Sequence, residues 1–161
     1  MPFSPLPEIF EELRAGRFVI LVDDPDRENE GDLVMPAEFV RSEDVAFMLR
    51  YTSGILCVTL PGERADELDL PLQVSTGSNN SKFGTQFTVS VEAMRGVTTG
   101  VSAADRATTI RLLANPECQA ADLARPGHVY PIRAADDGVL RRSGQTEGSV
   151  DLCRLAGLRE A

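Results

Sequence analysis

The sequence is poor in the residues that most often point to a partner. Lysine occurs once, at Lys82, and histidine once, at His128. Acidic residues outnumber basic ones 25 to 16, which gives a formal net charge of −9 and an isoelectric point near 4.6. Such a field repels nucleic acid, anionic lipid and phosphorylated small molecules alike, so neither a nucleic-acid nor a membrane partner is expected. A phosphate would have to be met by a local group of arginines, whose planar fork grips oxyanions through two hydrogen bonds. Cysteine is scarce as well. Cys57, Cys118 and Cys153 form an odd count without CxxC spacing. That argues against a disulfide framework or structural zinc and suits the reducing cytoplasm. No apolar run approaches the length of a bilayer span, and the N-terminus lacks the basic-then-apolar pattern of a signal peptide. A cytoplasmic protein is therefore expected.

What is present suffices for a core. A chain of 161 residues with a 42% hydrophobic fraction reads as a single domain over residues 1–161, without repeats or low-complexity tracts. Leu6, Ile9, Phe10 and Leu13 recur at helical spacing before Gly16, which predicts a short amphipathic helix. Phe18 to Val22 and Gly54 to Leu60 read as buried strands, and Ser42 as the cap of a helix through Tyr51. The polar stretch from Ser75 to Thr85 predicts a long loop. Phe87, Val89 and Val91 alternate with Thr88 and Ser90 as in a half-buried strand. Ser102 to Asp105 has the spacing of a capping box. His128 to Ile132 and Val139-Leu140 predict further short strands, and Thr146 to Ala156 a last helix stopped by Gly157. Strands and helices alternate, so the expected architecture is α+β, a mixed sheet with helices packed on it.

Three stretches carry chemistry. Asp23-Asp24-Pro25-Asp26-Arg27-Glu28-Asn29-Glu30-Gly31-Asp32 follows directly on a predicted strand. If it were extended, Glu28, Glu30 and Asp32 would share one face, where crowded carboxylates can hold a hard cation or work as acids and bases near neutrality. A solvated acidic turn is the commoner explanation of such a run. Gly96 to Ser102, running into Asp105 and Arg106, offers glycines, the hydroxyls of Thr98 and Ser102, and a helix N-terminus. That is the makings of a phosphate cradle, and an ordinary tight turn explains the same residues about as well. Arg125 to His128 and Arg141 to Glu147 bring basic and hydroxyl groups ahead of the last helix. A lone histidine is more often structural than catalytic, and a cysteine such as Cys57 inside an apolar strand is more often inert.

Taken in order, several segments are similar to the 3,4-dihydroxy-2-butanone 4-phosphate synthases of riboflavin biosynthesis. They are Asp23-Asp24 with Arg27 to Asp32, Tyr51 to Gly54, Phe83 to Thr85 with Phe87 to Val89, Gly96 to Arg106, Arg125 to Val129, and Gly138 to Leu140. The resemblance covers nearly the whole chain. It implies a homodimer with active sites at the subunit interface. It also implies conversion of a phosphorylated pentulose, ribulose 5-phosphate, to formate and the four-carbon ketone phosphate, with Mg2+ or Mn2+. By the same resemblance Glu28 is a metal ligand, and Glu30 and Asp32 are acid/base candidates. Arg27, Arg142 and Thr146 bind the substrate phosphate or its hydroxyls, with Thr98 and Ser102 as further binding candidates. Asp105, Arg106 and His128 match active-site positions, and Cys57 matches a cysteine near the substrate.

Two departures from the family pattern bear on activity. The last motif of the family reads Gly-His-Thr-Glu, its histidine being the second metal ligand, whereas this chain has Gly144-Gln145-Thr146-Glu147. A neutral amide oxygen binds magnesium more weakly and cannot take a proton as imidazole does. The family also continues past the equivalent of Leu158 with a strand bearing another active-site glutamate, while the sequence stops at Ala161. That carboxylate is expected to be missing, and the sheet edge left open is expected to be covered by a partner or a loop. Three readings follow: a lyase of the family's kind, an enzyme whose enediol chemistry stops at isomerisation, epimerisation or dehydration, and a silent paralogue that binds or regulates. The retained set of Glu28, Glu30, Asp32, Asp105, Arg106 and Arg142 favours an enzyme.

Overall fold

The structure is a computed structural model and describes residues 3–161. Helix α1 (Leu6–Arg14) packs against β1 (Val19–Val22), and β1 pairs antiparallel with β2 (Gly31–Val34). Helix α2 (Ser42–Tyr51) leads to β3 (Cys57–Leu60) and the short α3 (Gly62–Glu67). After a long irregular stretch come β4 (Val91–Ala93), α4 (Ala103–Leu113), β5 (Leu123–Arg133) and α5 (Gln145–Ala156). In the larger sheet β5 lies between β3, which is parallel to it, and β4, which is antiparallel. Helix α4 packs on β4, β5 and α2, and α5 packs on β3, β1 and α1. The α+β class expected from the sequence is the one observed. The mixed sheet has three strands, and β1 and β2 form a separate ribbon.

The core is built from Val58 and Leu60 of β3, Val91 of β4, Val129 of β5, Val45 of α2, and Ala107, Ile110 and Leu113 of α4. Burying such side chains stabilises by about 1.5–3 kcal/mol each for the larger ones. Threonines tie the layers where apolar contact alone would leave backbone groups unpaired. The Thr109 hydroxyl accepts from the Ala93 amide at 3.0 Å and donates to Asp105 O at 3.1 Å, fastening α4 to β4. Thr88, fully buried, donates to Pro131 O at 3.0 Å.

Several local expectations need correction. Ser42 is the first helical residue and not the cap: Asp44 takes the Arg41 backbone amide at 2.9 Å and its guanidinium at 3.0 Å. The alternation of Phe87, Val89 and Val91 does not mark one face, since Thr88 is buried beside Val91. Phe87 and Thr88 make only isolated bridges to Ile132 and Leu72. Val139-Leu140 lies in a 3-10 turn (Gly138–Leu140) because Asp137 and Gly138 both adopt positive φ. The last helix ends as expected, with Gly157 left-handed at φ 74°.

One backbone crossing is decisive for the site. Between Val91 and Glu92 the register on β5 jumps from Val129 to Ala124, so residues 125–128 bulge out of the ladder. At the bulge Gly127 lies directly on the Val91 backbone, and a Cβ there would overlap the Val91 carbonyl and the Glu92 amide. Gly127→Ala should destabilise the fold by about 3 kcal/mol. Gly54→Ala, where a Cβ meets nothing within 4 Å, should stay within about 0.5 kcal/mol of the parent in the same urea titration.

Candidate active site

A cavity of about 920 Å3 opens between β2, the segment 51–57, β3 and the N-terminus of α5. Its wall carries Glu28, Glu30 and Asp32 together with Arg142, Gln145 and Thr146, and Cys57, Thr52 and Thr85 line it as well. The acidic run does not extend as one strand. It turns at Asp24 to Glu28, Asn29 adopts φ 54°, and β2 begins only at Gly31. All three carboxylates nonetheless line the same cavity.

The turn is organised by Asp23 and Arg27. Asp23 accepts from the amides of Glu28 and Glu30, each at 3.0 Å, and from the Arg27 guanidinium at 2.7 Å. Burial works against its charged form, but those donors outweigh it and hold the carboxyl below its ordinary value. Arg27 then reaches three ways: to Glu28 at 2.9 Å, to Gln145 Oε1 at 3.1 Å, and over the Phe83 ring at 5.0 Å. Asp32 has no such support. Desolvation by the surrounding wall, then the charges of Glu30, Glu28 and Asp23, raise its carboxyl above the usual range, although the residue is open to solvent at the mouth. Cys57 holds its proton: burial, then Asp32, push the thiol up to about 12. It enters the site as a neutral thiol and not as a nucleophile or base.

Arg142 is held from every side. Its guanidinium donates to Glu147 at 2.6 Å, to Thr85 Oγ1 at 3.2 Å and to Phe83 O at 3.2 Å. Glu147 is only 2% exposed and also accepts the Ala135 amide at 2.9 Å. A Cβ at Gly144 would collide with both partners of this pair, which is why a glycine precedes α5. Glu147 was named in the sequence only as part of a motif. Its role is visible once the start of α5 meets Ala135, just past β5.

The remaining sequence candidates do not line this cavity. Thr98, Ser102, Asp105 and Arg106 belong to the loop and first turn of α4, and His128 to the bulge of β5. Ser102 caps α4 by accepting the Asp105 amide at 3.0 Å, which is half of the expected box. The Asp105 carboxylate turns the other way, to the Thr98 hydroxyl at 2.8 Å, the Thr98 amide at 3.2 Å and the Gly100 amide at 3.1 Å. The Thr98 hydroxyl chiefly, against burial and with help from the Thr98 amide, Ser102 and the Gly100 amide, lowers its carboxyl below the ordinary value. With both oxygens engaged, Asp105 anchors the loop and is not a free acid or base. Arg106 donates to Val101 O at 2.9 Å, bracing the same loop. His128 meets Glu92 at 2.8 Å, a partner that no spacing rule in the sequence reveals.

A cavity lined by clustered carboxylates, an arginine and a helix N-terminus has the makeup of a binding site for a small, polar molecule. The family model for 3,4-dihydroxy-2-butanone 4-phosphate synthase matches residues 7–161. The chain is 57% identical over 159 residues to the riboflavin biosynthesis protein RibBA of Nocardia farcinica, covering 99% of this chain and 38% of that one. It is 57% identical over 147 residues to the 3,4-dihydroxy-2-butanone 4-phosphate synthase of Shewanella halifaxensis, covering 91% of this chain and 68% of that one. A solved 3,4-dihydroxy-2-butanone 4-phosphate synthase in complex with two magnesium ions superimposes with a TM-score of 0.95. It shares 48% identity, and the match covers 98% of this chain and 73% of that one. The chain belongs to the 3,4-dihydroxy-2-butanone 4-phosphate synthase family. No helix among the described residues is long and apolar enough to cross a membrane.

Two outcomes test this geometry. Glu147→Gln should cost about 1–3 kcal/mol in chemical denaturation, because a buried charged hydrogen bond is lost while the Ala135 amide stays satisfied. For Asp105, a depressed folded-state value stabilises fully above the unfolded-chain value near about pH 4, and the contribution disappears as pH falls through the folded value. The gap in urea midpoint between the parent and Asp105→Asn should therefore be widest at neutral pH and shrink towards pH 3.

Proposed function

We propose that this chain converts ribulose 5-phosphate to 3,4-dihydroxy-2-butanone 4-phosphate and formate, residues 1–161 acting as one domain of a cytoplasmic enzyme. The observation that carries the reading is the meeting of Glu28, Glu30 and Asp32 with Arg142 and Thr146 across one cavity. A phosphorylated pentulose is charged at one end and reactive at the other, and the cavity lining offers groups for both. Arg142 and the N-terminus of α5, with Thr146 in its first turn, suit the phosphate end. The carboxylates suit the end where protons must move.

The reaction begins with removal of a proton beside the carbonyl, then eliminates water, shifts a carbon–carbon bond, and takes a water back before expelling formate, so that substrate equals ketone phosphate plus formate. Asp32, whose raised carboxyl lies closer to neutrality than a free one, is fitted to take and return a proton. Glu30 stands beside it as the second exchanging carboxylate. Arg27, pinned by Asp23, keeps Glu28 and the Gln145 amide oxygen together. Glu28 and Gln145 offer oxygen donors of the kind Mg2+ or Mn2+ takes, both bonded to Arg27 in this structure, and the negative charge around Asp32 favours a cation at this place. When bound, a divalent ion supplies stabilisation to negative charge developing on neighbouring substrate oxygens. The magnesium ions of the solved homologue support this reading. We further read the working unit as a homodimer: Thr98, Ser102, Arg106 and His128 lie outside their own chain's cavity, and a second copy that presents them at the interface would complete the site.

The test is incubation with carbon-13-labelled ribulose 5-phosphate and magnesium, followed by NMR. Formate with the four-carbon ketone phosphate is expected, whereas unchanged substrate or a sugar isomer without formate would overturn the reading. Glu28→Gln should lower the rate by at least about 10²-fold. Gln145→His should tighten magnesium binding in calorimetry by about tenfold, or about 1.4 kcal/mol.

A further inference from the structure

The bulge of β5 and the glycine loop before α4 converge on a pair of side chains to which the cavity chemistry assigns no task. His128 Nδ1 lies 2.8 Å from Glu92 Oε2. The two sides of the pair are unequal, the Glu92 side chain being 23% exposed and that of His128 45%. Three backbone constraints enforce the contact. The register jump between Val91 and Glu92 turns Glu92 towards the bulge, and Gly127 lies on the Val91 backbone where no side chain fits. Gly100, with φ +78°, passes so close to the pair that a Cβ would collide with the Glu92 carboxylate and touch His128 Nδ1 at 3.0 Å. The loop carrying Gly100 is in turn fixed by Asp105. An incidental surface ion pair needs no such enclosure, and most contribute little.

We propose that Glu92 is the positioning residue for His128, holding the neutral imidazole in its Nδ1–H tautomer so that Nε2 is left bare as the proton-accepting atom. The chemistry is that of a carboxylate that can only accept. When Glu92 Oε2 takes the Nδ1 proton, the ring orientation and the free nitrogen are both determined, as for bases oriented by a third group. The exposed nitrogen is then Nε2, and the half-open ring presents it away from its own chain's carboxylate. This assignment deepens the proposed function, resting on His128 taking part in proton transfer, but its test does not depend on turnover.

Because His128 is the one histidine in the chain, nitrogen-15 imidazole signals need no assignment by mutation. At a pH where the ring is neutral, the intact protein should show a protonated Nδ1 and a bare Nε2, the opposite of the tautomer preferred by free histidine. Glu92→Ala should shift the signals to the Nε2–H form. Should that variant fail to fold, the spectrum of the intact protein still decides. A dominant Nε2–H form in the intact protein, or an unchanged Nδ1–H form in Glu92→Ala, would overturn the proposal. In turnover, Glu92→Ala should lower kcat by about 10²-fold while KM moves by less than about twofold. Glu92→Gln, whose amide oxygen can still accept from Nδ1, should recover part of the loss. An intact protein that releases no formate would count against the proposed reaction and leave the spectral result standing.

Discussion

One guanidinium holds the acidic side of the site together. Arg27 is the cation amid Asp23, Glu28, Glu30 and Asp32, and it bonds directly to Asp23 and Glu28 while reaching the Gln145 amide and the Phe83 ring. Without it the turn after β1 would bring several like charges into a partly desolvated wall with nothing to offset them. With it, the turn is tied to the N-terminus of α5 and to the long loop through Phe83. Asp32 remains outside this compensation, and desolvation first, then the charges of Glu30, Glu28 and Asp23, raise its carboxyl.

A second constraint is steric. Gly127, Gly100 and Gly144 each stand where a Cβ would strike backbone or a charged side chain, and each borders a candidate group: His128, Glu92 or Arg142. These close approaches let two hydrogen-bonded pairs form in different settings. Glu147 with Arg142 is buried and rigid, suited to holding an anion-binding guanidinium still. Glu92 with His128 is half open, suited to orienting a group that must exchange a proton. Asp105 serves both ends of the loop between them by engaging Thr98 and Gly100 instead of solvent.

Legibility differed by the range of the interaction. Helix α1, helix α5 with its Gly157 stop, and the polar loop from Ser75 to Thr85 follow from local periodicity and punctuation, and the structure has them. Strand β2 was hidden because the acidic run gives no apolar alternation, yet Leu33 and Val34 pair with Ile20 and Val19 of β1. Thr88 was misread because its burial is compensated by a hydrogen bond to Pro131, 43 residues away in sequence. The predicted strand at Val139-Leu140 gave way to a turn because backbone conformation at Asp137 and Gly138 outweighs β propensity. Short-range rules carry neither the pairing of β2 with β1 nor the bond from Thr88 to Pro131.

For the site, the sequence by itself determined the chemical inventory: an acidic run with Arg27, a glycine and hydroxyl loop ahead of α4, and arginines and a hydroxyl ahead of α5. It also determined the family, because several long motifs occur in one order. Tertiary structure alone decided how that inventory is divided. It gathered Glu28, Glu30, Asp32, Arg142, Gln145 and Thr146 around one cavity and left Thr98, Ser102, Arg106 and His128 away from it. It turned Asp105 from an acid/base candidate into an anchor, kept Cys57 protonated, and brought forward Glu92 and Glu147. The physical reason is that a side chain's protonation, orientation and partners depend on desolvation and on donors within a few ångströms. Those neighbours come from strands and helices far apart in the chain, which meet only when the sheet and its bulge have formed.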